Sequence, residues 1–117
     1  METNDAIIVL AALAQNTRLE TFRVLVRHEP DGVPAGELAR LLAVPQNTMS
    51  AHLATLSRAG LVKSERQSRS IIYRADLDGF RDLTLFLLKD CCGGATELCA
   101  PLIAELTPCC APGVKPF

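Results

Sequence analysis

Residues 37–62 read ELARLLAVPQNTMSAHLATLSRAGLV, and this stretch decides the fold. The segment 35–42 has the spacing of a short helix, with Leu38, Leu41 and Leu42 turned inward. Ala43-Val44-Pro45 breaks it, and Pro45 suits the start of a second helix. That helix is predicted over 46–59, with Gly60 closing it just past its end. Met49, Leu53 and Leu56 fall at i, i+4 and i+7 on one face. The other face carries Gln46, Asn47, Ser50, Ala51 and Ser57, with Thr48 and His52 at its flanks. Small, mostly uncharged polar groups are what a helix needs to enter a major groove ~12 Å wide and reach base edges. Plain solvent exposure would select a similar face, so the neighbouring segments carry weight.

Downstream, 61–66 and 70–75 (SIIYRA) read as two strands. Gln67, Ser68 and Arg69 form the expected tip between them, and Arg66 and Arg69 supply cations for phosphates or the minor groove. Upstream, residues 17–20 (TRLE) have the form of a capping box. They would open a helix with Leu19, Phe22 and Val26 at core spacing, ending near His28 before a turn at EPDG. After the strands, Asp76 or Asp78 caps a last long helix with Leu83, Leu87 and Leu88 at helical spacing, ending by Lys89-Asp90. The expected fold is mainly α with a β-hairpin wing, a winged helix-turn-helix.

Residues 6–14 are apolar on nearly every side, so a helix there must be buried in a core or against a partner. Near the end of a small chain, a subunit interface is the expected burial site. The run is far below the ~20 residues that span a bilayer. It follows Glu2 and Asp5 rather than a cationic segment, so neither a membrane span nor a signal peptide is expected. The expected location is the cytoplasm, where thiols stay reduced.

The net charge of −1 conceals an asymmetry. Between Arg18 and Arg74 nine basic residues stand against five acidic ones, while the remainder is acidic. A basic middle between acidic ends suits local binding of a polyanion, and equally suits scattered solvated arginines.

All five cysteines lie in the last 27 residues: Cys91, Cys92, Cys99, Cys109 and Cys110. Clustered thiols behind a cysteine-free domain point to a soft, thiol-seeking ion. Residues 1–90 would then be the DNA-binding and dimerisation domain, and 91–117 a cysteine-rich sensor segment. Buried structural cysteine, a four-thiolate zinc site and a redox switch are the competing uses of such residues. An enzymatic thiol needs a helix N-terminus or an anion-cradling loop to lower its pKa. Cys91 and Cys92 fall at a predicted helix C-terminus, where the dipole acts the other way, so no enzyme is expected.

The order SAHL at 50–53, Leu56, AGLV at 59–62 and RSIIY at 69–73 resembles the ArsR/SmtB family of metal-sensing repressors. The resemblance runs from about Ala6 to Phe86. It implies a cytoplasmic homodimer, dimerised through its N- and C-terminal helices, that sits on double-stranded operator DNA and leaves when a ligand binds. It also implies a DNA-reading role for Gln46, Asn47, Thr48, Ser50, Ala51 and His52, with Arg66, Gln67, Ser68 and Arg69 on the wing. Arsenic-sensing relatives often carry Cys-x-Cys in the helix before the recognition helix, but ELARLL at 37–42 has no cysteine. Zinc-sensing relatives use His and carboxylate pairs on the last long helix, and His28 and His52 lie elsewhere. Cys91, Cys92 and Cys99 remain as a three-thiolate set suited to As(III) or Sb(III) as inducer. Gly93-Gly94 allows the bend that brings Cys99 back. Cys109 and Cys110 are accessory or idle. A methylated arsenical would need only two of these sulfurs.

Overall fold

The structure, a computed structural model, describes residues 1–88. The five cysteines and the expectations placed on them lie outside the described residues. The elements run α1 (Thr3–Leu13), α2 (Asn16–Arg27), β1 (Val33–Pro34), α3 (Ala35–Leu42), α4 (Gln46–Arg58), β2 (Val62–Gln67), β3 (Ser70–Ala75) and α5 (Leu77–Leu88). No helix among the described residues is long and apolar enough to cross a membrane.

The core grows from α4. Met49, Leu53 and Leu56 are fully buried, each contributing about 1.5–3 kcal/mol by leaving water. Leu25 of α2, Leu38 of α3 and Leu61 before β2 join them at zero exposure. Thr21 is the buried polar residue of this core, and its hydroxyl donates to the Thr17 carbonyl at 2.7 Å. That bond removes the cost of an unpaired buried hydroxyl. Phe22 of α2 stacks at a tilt on Phe80 of α5, ring centroids 5.6 Å apart.

The sheet has three antiparallel strands in the order β1-β3-β2. Val62 pairs with Ala75 and Gln67 with Ser70, so the tip is Ser68-Arg69 and Gln67 belongs to β2. Ser68 has φ 57°, a value that a two-residue hairpin loop demands and that glycine usually supplies. The third strand, β1, pairs Val33 with Tyr73 and Pro34 with Ile72. It did not register in the sequence pattern because two residues carry no period. Pro34, with no N–H to donate, is tolerated there because the strand is an edge.

Several local expectations are corrected. The TRLE capping box does not form: α2 starts at Asn16, and the Gln15 side chain accepts from the Arg18 amide at 2.8 Å. Gln15 reaches the orphan amides first, which places Thr17 inside the helix. The buried face of α2 is Thr21, Phe22, Val24 and Leu25, which leaves Leu19 and Val26 exposed. In α3 the buried residues are Leu38 and Ala39, with Leu42 half-buried and Leu41 exposed. In α5 Leu83 is buried, Leu88 half-buried and Leu87 exposed.

In α1, Ala6, Val9 and Ala12 face inward. Ile7 and Ile8 are each 56% exposed, and Leu10 is exposed beside them. The all-round apolar character read from the sequence is therefore two faces, one spent on α2 and α4 and one open. Met1–Leu83 form one compact unit; a second begins at Thr84, and its described part completes α5.

Candidate nucleic-acid interface

The turn between α3 and α4 sets the presentation of the second helix. Ala43 adopts the left-handed conformation (φ 57°, ψ 44°), and the Val44 amide donates back to the Ala39 carbonyl at 3.0 Å. This closes α3 as a Schellman-type cap, with Ala where glycine is commoner. Pro45 follows in extended conformation, and its carbonyl accepts the Met49 amide at 3.0 Å, the first turn of α4. At the far end Gly60 has φ 77°, and the Leu61 amide reaches the Leu56 carbonyl at 3.0 Å, so the chain turns straight into β2.

With Met49, Leu53 and Leu56 anchoring one face, the opposite face of α4 is forced outward. Gln46, Asn47, Thr48, Ser50 and Ala51 are all exposed. The structure thus brings five of the six expected reading residues onto open surface of one helix. Asn47 is partly engaged: its side-chain oxygen accepts the Thr48 amide at 2.9 Å. A bidentate contact of Asn47 to adenine would have to replace that bond. The sixth, His52, is half-buried, with its Nδ1 3.4 Å from Nη1 of Arg18.

Arg66, Gln67, Ser68 and Arg69 are exposed at the end of the β2–β3 hairpin. Among the described residues no salt bridge neutralises Arg66 or Arg69. Two other members of the basic middle are committed instead. Arg40 pairs with Glu37 along α3. Arg74 of β3 grips both carboxylate oxygens of Glu29 at 3.2 and 3.0 Å, tying the turn after α2 to the sheet. The Glu29 hydrogen bond raises the Arg74 pKa further above its ordinary value. Among the described residues of the basic middle, the cations outside any salt bridge are Arg66 and Arg69 on the hairpin and Arg18, Arg23, Arg27, Arg58 and Lys63.

Arg18 is the residue that sequence reasoning missed. It was visible only as one charge among nine. Its contact to His52 spans 34 positions, and no local signal announces it. Among the described residues no group of three or more His, Cys, Asp or Glu is placed to hold a metal ion.

Two helices joined by a tight turn, the second with an open polar face, followed by a cationic hairpin, define a winged helix-turn-helix DNA-binding domain. A family profile described as a helix-turn-helix domain matches residues 13–65. The transcriptional activator HlyU of Vibrio cholerae is 35% identical over 75 residues, spanning 62% of this chain and 67% of HlyU. An ArsR-like transcriptional regulator from Rhodococcus sp. RHA1 superposes with a TM-score of 0.67 at 28% identity, over 89% of this chain and 92% of that one. A homodimeric winged helix-turn-helix domain from Mycobacterium bovis, a possible ArsR-family regulator, gives 0.61 at 26% identity, over 73% and 77%. The chain belongs to the ArsR/SmtB family of winged-helix transcriptional regulators.

Proposed function

We propose that this chain is a homodimeric repressor that reads double-stranded operator DNA with α4 and the hairpin and is released by As(III) or Sb(III). The observation that carries the DNA-reading part is the division of α4. Three fully buried side chains lock one face and leave five small or polar ones open beside an unneutralised cationic hairpin. A helix about 10–12 Å across fits a major groove ~12 Å wide. Dimerisation is supported by the open apolar face of α1 and by the homodimeric relative. A two-fold dimer presents two reading helices to half-sites one helical turn apart.

The inducer reading rests on the chemistry of the donor set. Cys91, Cys92 and Cys99 offer three soft thiolates in the sequence that follows α5, with Cys109 and Cys110 further on. Binding would reshape the end of a helix assigned to the dimer interface and so bias the DNA-bound state. Oxidation of the same thiols, or their capture of zinc, is the alternative stimulus.

The test is a fluorescence-anisotropy titration of the reduced chain on DNA from upstream of its own gene, with As(III), Sb(III), Zn(II) and peroxide added in turn. Release by As(III) or Sb(III) that vanishes in Cys91→Ser, Cys92→Ser and Cys99→Ser supports the three-thiolate switch. Release that survives all three substitutions overturns that site. Release by peroxide or zinc alone overturns the metalloid reading. Failure to bind any DNA overturns the repressor itself.

A further inference from the structure

Helix α1 ends with a single backbone cap, the Ala14 amide donating to the Ala11 carbonyl at 3.2 Å. Its last turn has no basic residue, and its C-cap is Ala14 rather than glycine. The carbonyls of such a turn lack helical partners and carry the negative end of the dipole. Arg18, from the first turn of α2, reaches two of them. Its Nε–H donates to the Ala12 carbonyl at 2.6 Å, and Nη2 donates to the Ala11 carbonyl at 3.4 Å. The remaining arm of the fork, Nη1, lies 3.4 Å from Nδ1 of His52 on α4. One guanidinium thus touches the helix with the open apolar face and the helix with the open polar face.

The chemistry of the pair fixes more than position. A guanidinium has only donors and stays charged. Nδ1 of His52 must therefore accept, which places the ring proton on Nε2. His52 then enters DNA recognition as a hydrogen-bond donor, matched to acceptors such as guanine O6 and N7, thymine O4 or a phosphate oxygen.

We propose that Arg18 is a positioning residue for DNA recognition: it holds His52 in the Nε2–H tautomer and couples its placement to the C-terminal end of α1. This rests on the reading of α4 as the DNA-reading helix. Arg18 acts through His52 and not by touching DNA, which separates it from Arg66 and Arg69. Because the fork is anchored on α1 carbonyls, a shift of α1 against α4 would draw the guanidinium from His52 and free the ring to change tautomer.

The experiment combines two readouts on the full reduced chain. Long-range proton–nitrogen NMR of the imidazoles reports the His52 tautomer without DNA. The expected result is Nε2–H in the wild type and a mixture in Arg18→Lys, which keeps the charge but loses the fork. Anisotropy on operator and on unrelated duplex gives the specificity ratio for wild type, Arg18→Lys, His52→Ala and the double variant. His52→Ala is expected to lower the ratio about tenfold in the wild type and no more than about twofold on top of Arg18→Lys. The salt dependence of unrelated-duplex binding is expected to be the same in wild type and Arg18→Lys, since no charge is lost. An unchanged tautomer in Arg18→Lys, or full additivity of the two losses, overturns the proposal. A wild-type chain that binds neither duplex overturns the DNA reading beneath it, an outcome distinct from either.

Discussion

Gly79, in the first turn of α5, faces the backbone of Gly60 so closely that a Cβ on it would lie 1.9 Å from the Gly60 carbonyl oxygen. The two glycines join the end of α4 to the start of α5. Asp76 holds the other side of this junction: its amide donates to the Leu61 carbonyl at 2.8 Å, and its side chain accepts the Gly79 amide at 3.3 Å. Of the two aspartates expected to cap α5, Asp76 does so.

Gly79→Ala cannot be absorbed by a flexible side chain, because the obstacle is backbone. The expected cost is about 1–3 kcal/mol from forced backbone movement, against a gain of under ~1 kcal/mol in helix propensity. Urea denaturation should show a lower midpoint with an unchanged slope. Gly60→Ala should also destabilise, but through its φ of 77°, since nothing lies within 4 Å of a Cβ there.

Ile8 is 56% exposed on α1, so Ile8→Glu should leave the monomer's fold nearly intact, within about 0.5 kcal/mol. It should halve the mass seen by light scattering. Operator affinity should fall on the order of a hundredfold as two linked half-site contacts become independent. A variant that keeps the full mass would place the dimer contact elsewhere.

The double variant Arg66→Gln, Arg69→Gln removes two unneutralised cations from the hairpin. The plot of log affinity against log salt should become shallower by about 2, with affinity lost nearly equally on operator and unrelated duplex. Gln46→Ala should instead leave the salt slope unchanged and narrow the difference between the two duplexes.

The Glu37 carboxyl is held below its ordinary 4.5, first by its hydrogen bond from Arg40 and then by the charge of that guanidinium. A carboxyl depressed on folding contributes its stabilisation above the unfolded value and loses it as pH falls through the folded one. The pair is exposed, so the effect on melting should be slight and confined to acid. Carbon-13 NMR should show Glu37 titrating below 4.5 in the wild type and returning toward 4.5 in Arg40→Gln.

The sequence was most legible where one local pattern imposes one geometry. Helix α3 forms over 35–42 and β3 over 70–75, both as predicted. In α4 the i, i+4, i+7 set of Met49, Leu53 and Leu56 settles which face is buried and hence which is open. Legibility failed where tertiary contacts decide. Leu41 looks like core by spacing but is exposed, because α3 packs through Leu38 and Ala39. Thr17 had the right companions for a cap, but Gln15 took the place first. The Arg18–His52 contact depends on how three helices meet and leaves no trace in any short window.

The open face of α4 contributes nothing to the core that holds the helix in place. Gln46, Asn47, Thr48, Ser50 and Ala51 are exchangeable at little folding cost, since surface substitutions of this kind stay within about 0.5 kcal/mol. If α4 reads DNA as proposed, the helix is an interchangeable reading head on a fixed mount. On the proposed reading, new operator preferences are open to drift or to engineering by changing five codons within a stretch of six, leaving Met49 in place, without retuning the rest of the domain. His52, held from behind by Arg18, is the one position on that head that is wired to the mount.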